Sequence, residues 1–279
     1  MSILRRVLIP SDITASHRAV VRRYVEHIAE LSAADWPLAI EAFNLLRHAV
    51  VVRADDRAYT FAQVYEELID AHYATPFLKG LFDLQDVKRE SASLGAVSAR
   101  RIYQDLTERG LHAPERLPES RLLMAYCLYW WQSFCKGYAF EVEIFRDLER
   151  SGLRFQPHDL FDPIARRSPH DFRISGFWGD VKTSAYFLLK VSGETVSSDF
   201  FVTRVGLSTR RTRTLVVFLQ GAAWDVIDGE TLLSLLSDLG NVLPRPARIS
   251  YHGGELVVAE YADWKAKMRN YQSARGELP

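Results

Sequence analysis

The chain has 279 residues, of which 48% are hydrophobic and 25% are charged, a composition typical of folded globular proteins that excludes a largely disordered chain. Lysine plus arginine equal aspartate plus glutamate at 35 each, so the formal net charge is zero. A neutral chain creates no global positive field. This argues against a general nucleic-acid-coating protein and confines any affinity for nucleic acid to a local patch.

The cysteines and the apolar runs bear on cellular location. Cys127 and Cys135 lie in one apolar stretch, with no further Cys or Cys/His pair at the spacing of a zinc site, so we expect reduced core residues. The N-terminal apolar run is too short for a signal sequence, and the run at 122–134 is too short to span a bilayer. Together these features predict a cytoplasmic protein with no membrane partner.

Helical spacing dominates the first part of the chain. Between residues 16 and 85 the apolar side chains recur as they would on one face of an amphipathic helix. Thr60 is followed three residues later by Gln63, which has the form of a capping box at a helix N-terminus. These patterns predict a helical region.

A linker separates this region from the rest of the chain. The segment 111–120 has two prolines and no periodicity, which is typical of a connection between domains. We therefore predict a helical domain over 1–118 that serves targeting or dimerisation, through contact with a second copy or a partner protein. The second domain is predicted to cover 119–279.

The second part begins with helical spacing and changes to a period of two. Ser120 is placed to cap a long apolar helix, which Gly137 either kinks or separates from a second helix that ends near Gly152. Beyond that point alternating residues predict strands, and the whole part is α/β or α+β. The clearest later elements are an apolar strand at 214–220, a short helix at 230–239 and a Gly-Gly hairpin at 249–258.

Two acids and a lysine have the spacing of a metal site built on a hairpin. Asp171 lies near one predicted strand, and Asp180-Val-Lys182 enters the next, after a turn near Ser175-Gly176. Alternation along the strand puts Asp180 and Lys182 on one face. Carboxylate oxygens are hard ligands that suit Mg²⁺, so we predict a Mg²⁺ site in which Mn²⁺ substitutes.

The acid-x-lysine motif alone is weak evidence for such a site. Asp86-Val-Lys88 and Asp263-Trp-Lys265 have the same form, and chance predicts roughly one match in a chain of this composition. Both of these copies lie in helix-like sequence and lack a second acid on a hairpin partner. In the middle copy, Asp180 lies nine residues after Asp171, so its context favours a metal site.

The stretch 137–182, which contains Asp171, Asp180 and Lys182, resembles the PD-(D/E)xK nuclease superfamily. This superfamily includes restriction enzymes, Holliday-junction resolvases and repair nucleases. Resolvase-like members carry a glutamate four residues after a glycine on the helix that precedes the strands, and Gly137 and Glu141 are similar to that pattern. The resemblance implies an α/β fold: a helical N-terminal region followed by a restriction-endonuclease-like mixed sheet flanked by helices.

The resemblance also implies a metal-dependent endonuclease that hydrolyses phosphodiester bonds, in DNA. Asp171, Asp180 and the Val181 carbonyl would bind the metal, with Glu141 as a further ligand directly or through water. Lys182 would orient the attacking water and stabilise developing negative charge. The implied catalytic residues are Glu141, Asp171, Asp180 and Lys182.

Several alternatives stay open at this stage. Glu143 rivals Glu141 as the helix acid, because two positions along a helix differ by about 200° in direction. His170 could contact phosphate, although a loop histidine is more often structural, and His158 has a weaker case still. The densest basic cluster is either a phosphate-backbone contact or a solvated loop, and it consists of Arg204, Arg210, Arg211 and Arg213.

Function also keeps its alternatives. The fold could serve as a catalytically inactive nucleic-acid-binding or assembly module, because folds outlive their chemistry. RNA is another possible substrate, since no RNA-binding motif supports or excludes it. The segment 184–213 departs from the family pattern, because it lacks the helical period expected after the acid-x-lysine strand.

Overall fold

The chain is a mixed α/β protein of two compact units, Met1–Lys136 and Gly137–Pro279. A computed structural model describes residues 4–27, 31–32, 35–183, 198–208, 211–221, 247–251 and 254–277. The predicted helix at 230–239 lies outside the described residues. The α/β class is confirmed, whereas the predicted boundary at residue 118 and the role of the first domain stay predictions.

The first unit combines helices with a small antiparallel sheet in the order β1-β2-β3. Its strands are β1 (Leu4–Leu8), β2 (Val50–Arg53) and β3 (Ala58–Thr60). Its helices are α1 (Ala15–His27), α2 (Asp35–Leu46), α3 (Phe61–Val64), α4 (Ala71–Asp83) and α5 (Val87–Glu108), with a π-helical segment, Tyr65–Asp70, between α3 and α4.

The helical prediction for this unit is confirmed for its helices, but it missed the sheet. The capping box is present: the Thr60 hydroxyl accepts from the Gln63 amide at 3.1 Å, and the Gln63 side chain accepts from the Thr60 amide at 2.8 Å. β2 is a run of β-branched valines that favours extended backbone. Strands this short show too few alternations to reveal a period of two.

One long helix, α6 (Ser120–Arg150), contains the division between the units. Gly137 lies inside it without interrupting it, and Gly152, at a φ of 70°, follows its end as predicted. Cys127 and Cys135 on this helix are buried and form no disulfide. Within the described part of the chain, no helix combines the length and apolar character needed to cross a bilayer.

The second unit contains a seven-stranded sheet in the order β4-β5-β6-β7-β8-β10-β9, in which β6 and β7 are parallel and all other neighbours are antiparallel. Its strands are β4 (Gln156–Pro157), β5 (Phe172–Ile174), β6 (Phe177–Lys182), β7 (Phe200–Ser208), β8 (Arg211–Gly221), β9 (Ala247–Tyr251) and β10 (Gly254–Glu260). The last helix is α7 (Tyr261–Ala274). The predicted apolar strand and the Gly-Gly hairpin are confirmed as β8 and as β9 with β10.

A chain of aromatic side chains forms the core beside the sheet. Phe145 of α6 meets Phe172 of β5 at 5.8 Å between ring centroids, and Phe172 meets Phe200 of β7 at 5.5 Å. Phe200 then meets Trp264 of α7 at 5.2 Å. These buried rings tie both helices to the strands and fix the position of the β5–β6 hairpin.

The hairpin depends on two glycines for different reasons. Ser175 and Gly176 both have positive φ, at 48° and 93°, which the tight turn requires. Gly179 lets two core rings approach the strand, because a Cβ there would lie 2.5 Å from Cζ of Phe200 and 2.7 Å from Cζ of Phe172. The residue after Gly179 is one of the predicted metal ligands.

We predict that Gly179→Ala destabilises the protein by about 1–3 kcal/mol, because both rings must move to admit a methyl group. Gly137→Ala is the matched control, since it meets nothing within 4 Å in the interior of α6 and should stabilise by about 0.5–1 kcal/mol. Urea unfolding of both variants measures the difference. Equal free energies of unfolding would contradict this account of the packing.

Candidate metal centre

The β5–β6 hairpin brings Asp171 against the strand that carries Asp180. The Asp171 amide donates to the Gly179 carbonyl at 3.0 Å, and its carboxylate accepts from the Val181 amide at 2.6 Å. The turn and register predicted for this segment therefore place the two acids side by side, as the spacing indicates.

The Asp180 carboxyl group is buried, and within the described ranges only one of its two oxygens is paired with a positive charge. Its Oδ2 pairs with Nζ of Lys182 at 2.7 Å. When Asp180 is ionised, its Oδ1 has no hydrogen-bond donor among the described residues, and when Asp180 is protonated its carboxyl group donates to that of Asp171. Lys182 is 40% exposed in its side chain, so the ammonium group lies at the solvent side of the pair.

Glu141 supplies the helix acid, and Glu143 does not reach the centre. Glu141 is 5% exposed and lies 2.5 Å from Nε2 of His158. Glu143 instead accepts two hydrogen bonds from Arg204, both at 2.9 Å. The structure thus separates the two candidate acids as their helical directions require.

His158 is the residue that the sequence reasoning undervalued. Its amide donates to the Asp171 carbonyl at 2.8 Å, and its Nδ1 lies 3.1 Å from the Ala165 carbonyl. A carbonyl only accepts, so Nδ1 carries the hydrogen and Nε2 faces Glu141. The pairing of Pro157 with Phe172 brings His158 to this place, and a two-residue strand leaves no sequence period to detect it.

Three ligand atoms converge within this centre. One atom each of Glu141, His158 and Asp171 lies within 4.8 Å of the other two. The Asp180 carboxyl group interacts electrostatically with Asp171 and Glu141. The structure therefore brings together Glu141, Asp171, Asp180 and Lys182 as the sequence analysis expects, and it adds a histidine.

Burial and the negative charge of neighbouring carboxylates raise the pKa values of all three acids. Burial, followed by the charge of Asp171, raises the pKa of Asp180 to about 7. Burial, followed by the charge of Glu141, raises the pKa of Asp171, and burial raises the pKa of Glu141. Burial lowers the pKa of His158, but the hydrogen bond and charge of Glu141 outweigh that and raise it.

The residues present fit a divalent cation. Within the described part of the chain, three carboxyl groups share the centre with one ammonium and one imidazole, so the ionised acids outnumber the permanent positive charges. A cation at this place would reduce the repulsion between the carboxylates and would give Oδ1 of Asp180 a positively charged partner.

An exposed aromatic surface borders the centre. His170 stacks on Trp178 at 4.8 Å between ring centroids, and Arg173 lies over the same indole at 5.2 Å. The His170 Nδ1 is 3.0 Å from the Ser198 hydroxyl. Trp178 is 41% exposed and lies on the same face of β6 as Asp180, two residues away.

In the part of the predicted basic cluster that the structure describes, the arginine side chains are already paired with glutamates. Arg204 pairs with Glu143 and covers the ring of Phe140 at 4.2 Å, and Arg213 pairs with Glu260. Arg210 and the side chain of Arg211 lie outside the described residues. Phosphate contact by these arginines stays a prediction.

The other acid-x-lysine copies have helical roles, as their sequence context indicates. Asp86 caps α5 by accepting from the Arg89 amide at 3.1 Å. Asp263 lies in the first turn of α7, and Lys265 pairs with Asp147 at 2.6 Å. Among the described residues, only the middle copy places its aspartate beside other buried carboxyl groups.

Comparisons with known proteins leave the family open. No protein-family model, curated protein or solved structure matches the chain.

We predict that Asp180→Asn stabilises the metal-free protein at pH 8. Because folding raises the pKa of Asp180 from 3.8 to about 7, the folded state binds a proton that the unfolded state releases, and wild-type stability falls as pH rises between these values. We expect an increase in Tm of roughly 3 °C or more in EDTA at pH 8, and little change at pH 4.

Asp263→Asn is the matched control, because this exposed acid lies in an acid-x-lysine copy on a helix. It should give no increase in Tm at either pH. A fall in Tm for Asp180→Asn at pH 8 would contradict the electrostatic account.

Proposed function

We propose that the Gly137–Pro279 unit is a divalent-metal-dependent endonuclease of the PD-(D/E)xK type that hydrolyses phosphodiester bonds in DNA. The observation that carries the proposal is the convergence of a helix glutamate, a hairpin aspartate and an Asp-x-Lys strand on one buried centre. These groups are Glu141, Asp171, Asp180 and Lys182.

Asp171, Asp180 and Glu141 would hold Mg²⁺, or Mn²⁺ in its place, with the Val181 carbonyl as a further predicted ligand. When bound, such a cation neutralises a scissile phosphate and lowers the pKa of a coordinated water. The unsatisfied Oδ1 of Asp180 and the raised pKa values of the three acids support a missing positive charge at this place.

Lys182 has the position needed for a catalytic ammonium group. Its pairing with Asp180 keeps Nζ at the centre, while its exposed side chain leaves N–H donors for a phosphate oxygen or a water. A fixed cation at this position stabilises negative charge that develops during hydrolysis. Asp180 therefore serves both as a ligand and as the group that orients Lys182.

The arrangement of the sheet supports the same fold type. The acid-bearing β6 lies between antiparallel β5 and parallel β7, and α6 and α7 pack on the strands through Phe145 and Trp264. We propose that this is a restriction-endonuclease-like mixed sheet flanked by helices. The first unit would then serve targeting or dimerisation.

The aromatic surface beside the centre supports a nucleic-acid substrate. Exposed rings next to a hydrolytic site offer a stacking face for a nucleobase, and Arg173 adds a positive charge for the backbone. Because the net charge of the chain is zero, such local contacts would carry most of the affinity.

We predict that the purified protein with Mg²⁺ or Mn²⁺ cuts or nicks DNA, and that Asp180→Asn and Lys182→Ala each lower the rate at least 100-fold. Lys88→Ala is the matched control, since this exposed lysine belongs to an acid-x-lysine copy on α5, and it should retain full activity. The measurement is the rate of cleavage of plasmid and oligonucleotide substrates, with single-stranded and duplex RNA in parallel.

The outcomes separate the alternatives. Activity that persists in both Asp180→Asn and Lys182→Ala would reject the assigned centre. Metal-dependent binding of DNA without cleavage by the wild type would favour the inactive binding or assembly module. Cleavage of RNA alone would replace DNA as the substrate.

We also predict that Trp178→Ala weakens oligonucleotide binding by about 1–3 kcal/mol, because it removes a stacking face. Phe177→Ala is the matched control: Phe177 is 42% exposed against 41% for Trp178, but it points to the opposite face of β6. Fluorescence anisotropy in the Asp180→Asn background separates binding from cleavage. Equal losses for the two variants would remove the stacking role.

A further inference from the structure

We propose that His158 is a direct metal ligand, and that its imidazole nitrogen makes the centre prefer a first-row transition ion such as Mn²⁺ over Mg²⁺. This inference rests on the proposed function, because it specifies the cation of the same centre. It adds a nitrogen donor to a ligand set that the sequence resemblance implies to be all oxygen.

The three ligand atoms lie close enough together to bind one ion. Those of Glu141, His158 and Asp171 lie within 4.8 Å of one another. Ligands at right angles around an ion with bonds of 2.0–2.2 Å are about 3 Å apart. The distance between Glu141 and Nε2 of His158 is 2.5 Å. For both atoms to bind one ion this distance would need to increase by only about 0.5 Å, which a rotation of the glutamate side chain can provide.

The imidazole of His158 is oriented with Nε2 toward the cluster. The Ala165 carbonyl accepts from Nδ1 at 3.1 Å, and the backbone N–H of His158 is held by Asp171 at 2.8 Å. A histidine whose far nitrogen donates to a carbonyl presents the lone pair of its other nitrogen, which is the usual arrangement of a metal-bound histidine. In His158 that nitrogen faces Glu141 and shares a proton with it at 2.5 Å, so binding a cation there would release this proton and free the lone pair.

The environment of Asp180 favours a bound cation independently of the histidine. Asp180 is 5% exposed, and its Oδ1 has no hydrogen-bond donor among the described residues. Its carboxyl group interacts with that of Asp171, one of the three clustered ligands. When Asp180 is ionised and no longer donates to Asp171, this buried acceptor without a donor is costly, and a cation bound by its neighbours would satisfy it.

The mixed ligand set has a chemical consequence. Mg²⁺ binds oxygen ligands and water, whereas an imidazole nitrogen suits first-row transition ions. Mn²⁺ accepts both carboxylate oxygen and imidazole nitrogen. The centre should therefore bind Mn²⁺ more tightly than Mg²⁺, and the difference should depend on His158.

The experiment uses the full chain and Mn²⁺ alone, without substrate. Pulsed electron paramagnetic resonance detects a nitrogen nucleus bonded to Mn²⁺, and replacing ¹⁴N with ¹⁵N in the histidines changes the signal without any substitution. Titration calorimetry gives the Kd for Mn²⁺ and for Mg²⁺. His158→Asn removes the ligand nitrogen while its amide can still donate to Ala165, and His170→Asn is the matched control beside Asp171, because the Nδ1 of His170 is already paired with Ser198.

We expect a histidine nitrogen signal in the wild type and in His170→Asn, and none in His158→Asn. The ratio of the Kd for Mg²⁺ to the Kd for Mn²⁺ should fall at least tenfold in His158→Asn. Absence of a histidine signal in the labelled wild type, or an unchanged ratio in His158→Asn, would overturn the proposal.

The measurement also stands apart from catalysis. If the wild type binds Mn²⁺ through His158 but cuts no nucleic acid, the proposed nuclease function fails while the ligand assignment holds. If the wild type cuts DNA but shows no nitrogen signal, the nuclease function holds and the ligand assignment fails.

Discussion

Three carboxyl groups buried within reach of one another form the constraint on which the second unit depends. Burial and mutual repulsion raise the pKa values of Glu141, Asp171 and Asp180, and among the described residues the Lys182 ammonium provides the permanent positive charge beside them. A folded chain tolerates such a cluster only where other interactions over-determine the backbone. Here the surrounding structure provides them, through the Asp171 hydrogen bonds to Gly179 and Val181 and the aromatic core behind the hairpin.

The same constraint connects stability with function. The repulsion that opposes folding is the energy that the proposed cation would offset, so under this proposal the affinity for metal and the instability of the centre without metal have one origin. Gly179 contributes through sterics instead of charge. It lets Phe172 and Phe200 close over the strand, and this close packing holds Asp180 in place.

The sequence predicts the features that depend on residues close together in the chain. The Thr60 capping box, the apolar interior strand β8 and the acid-bearing hairpin each have a clear sequence pattern, and the structure contains them. It missed the sheet of the first unit and undervalued His158, because strands of two to five residues show no reliable period. The choice between Glu141 and Glu143 needed the position of Arg204, which is distant in sequence and lies on another element. Charge counts likewise could not show that Arg204 and Arg213 are already paired.

The pairing of Arg204 with Glu143 has a consequence for how this protein can vary over evolutionary time. The ion pair fixes the rotational phase of α6 against β7, with Glu141 turned about 200° away toward the acids. Losing or gaining one residue between Glu141 and Glu143 would turn one acid relative to the other by about 100°, so the glutamate could not keep its place in the centre while the ion pair kept its own. Many substitutions on this turn would preserve that phase, but insertions and deletions would not. Relatives of this chain should therefore vary in composition along this turn of α6 while keeping its length.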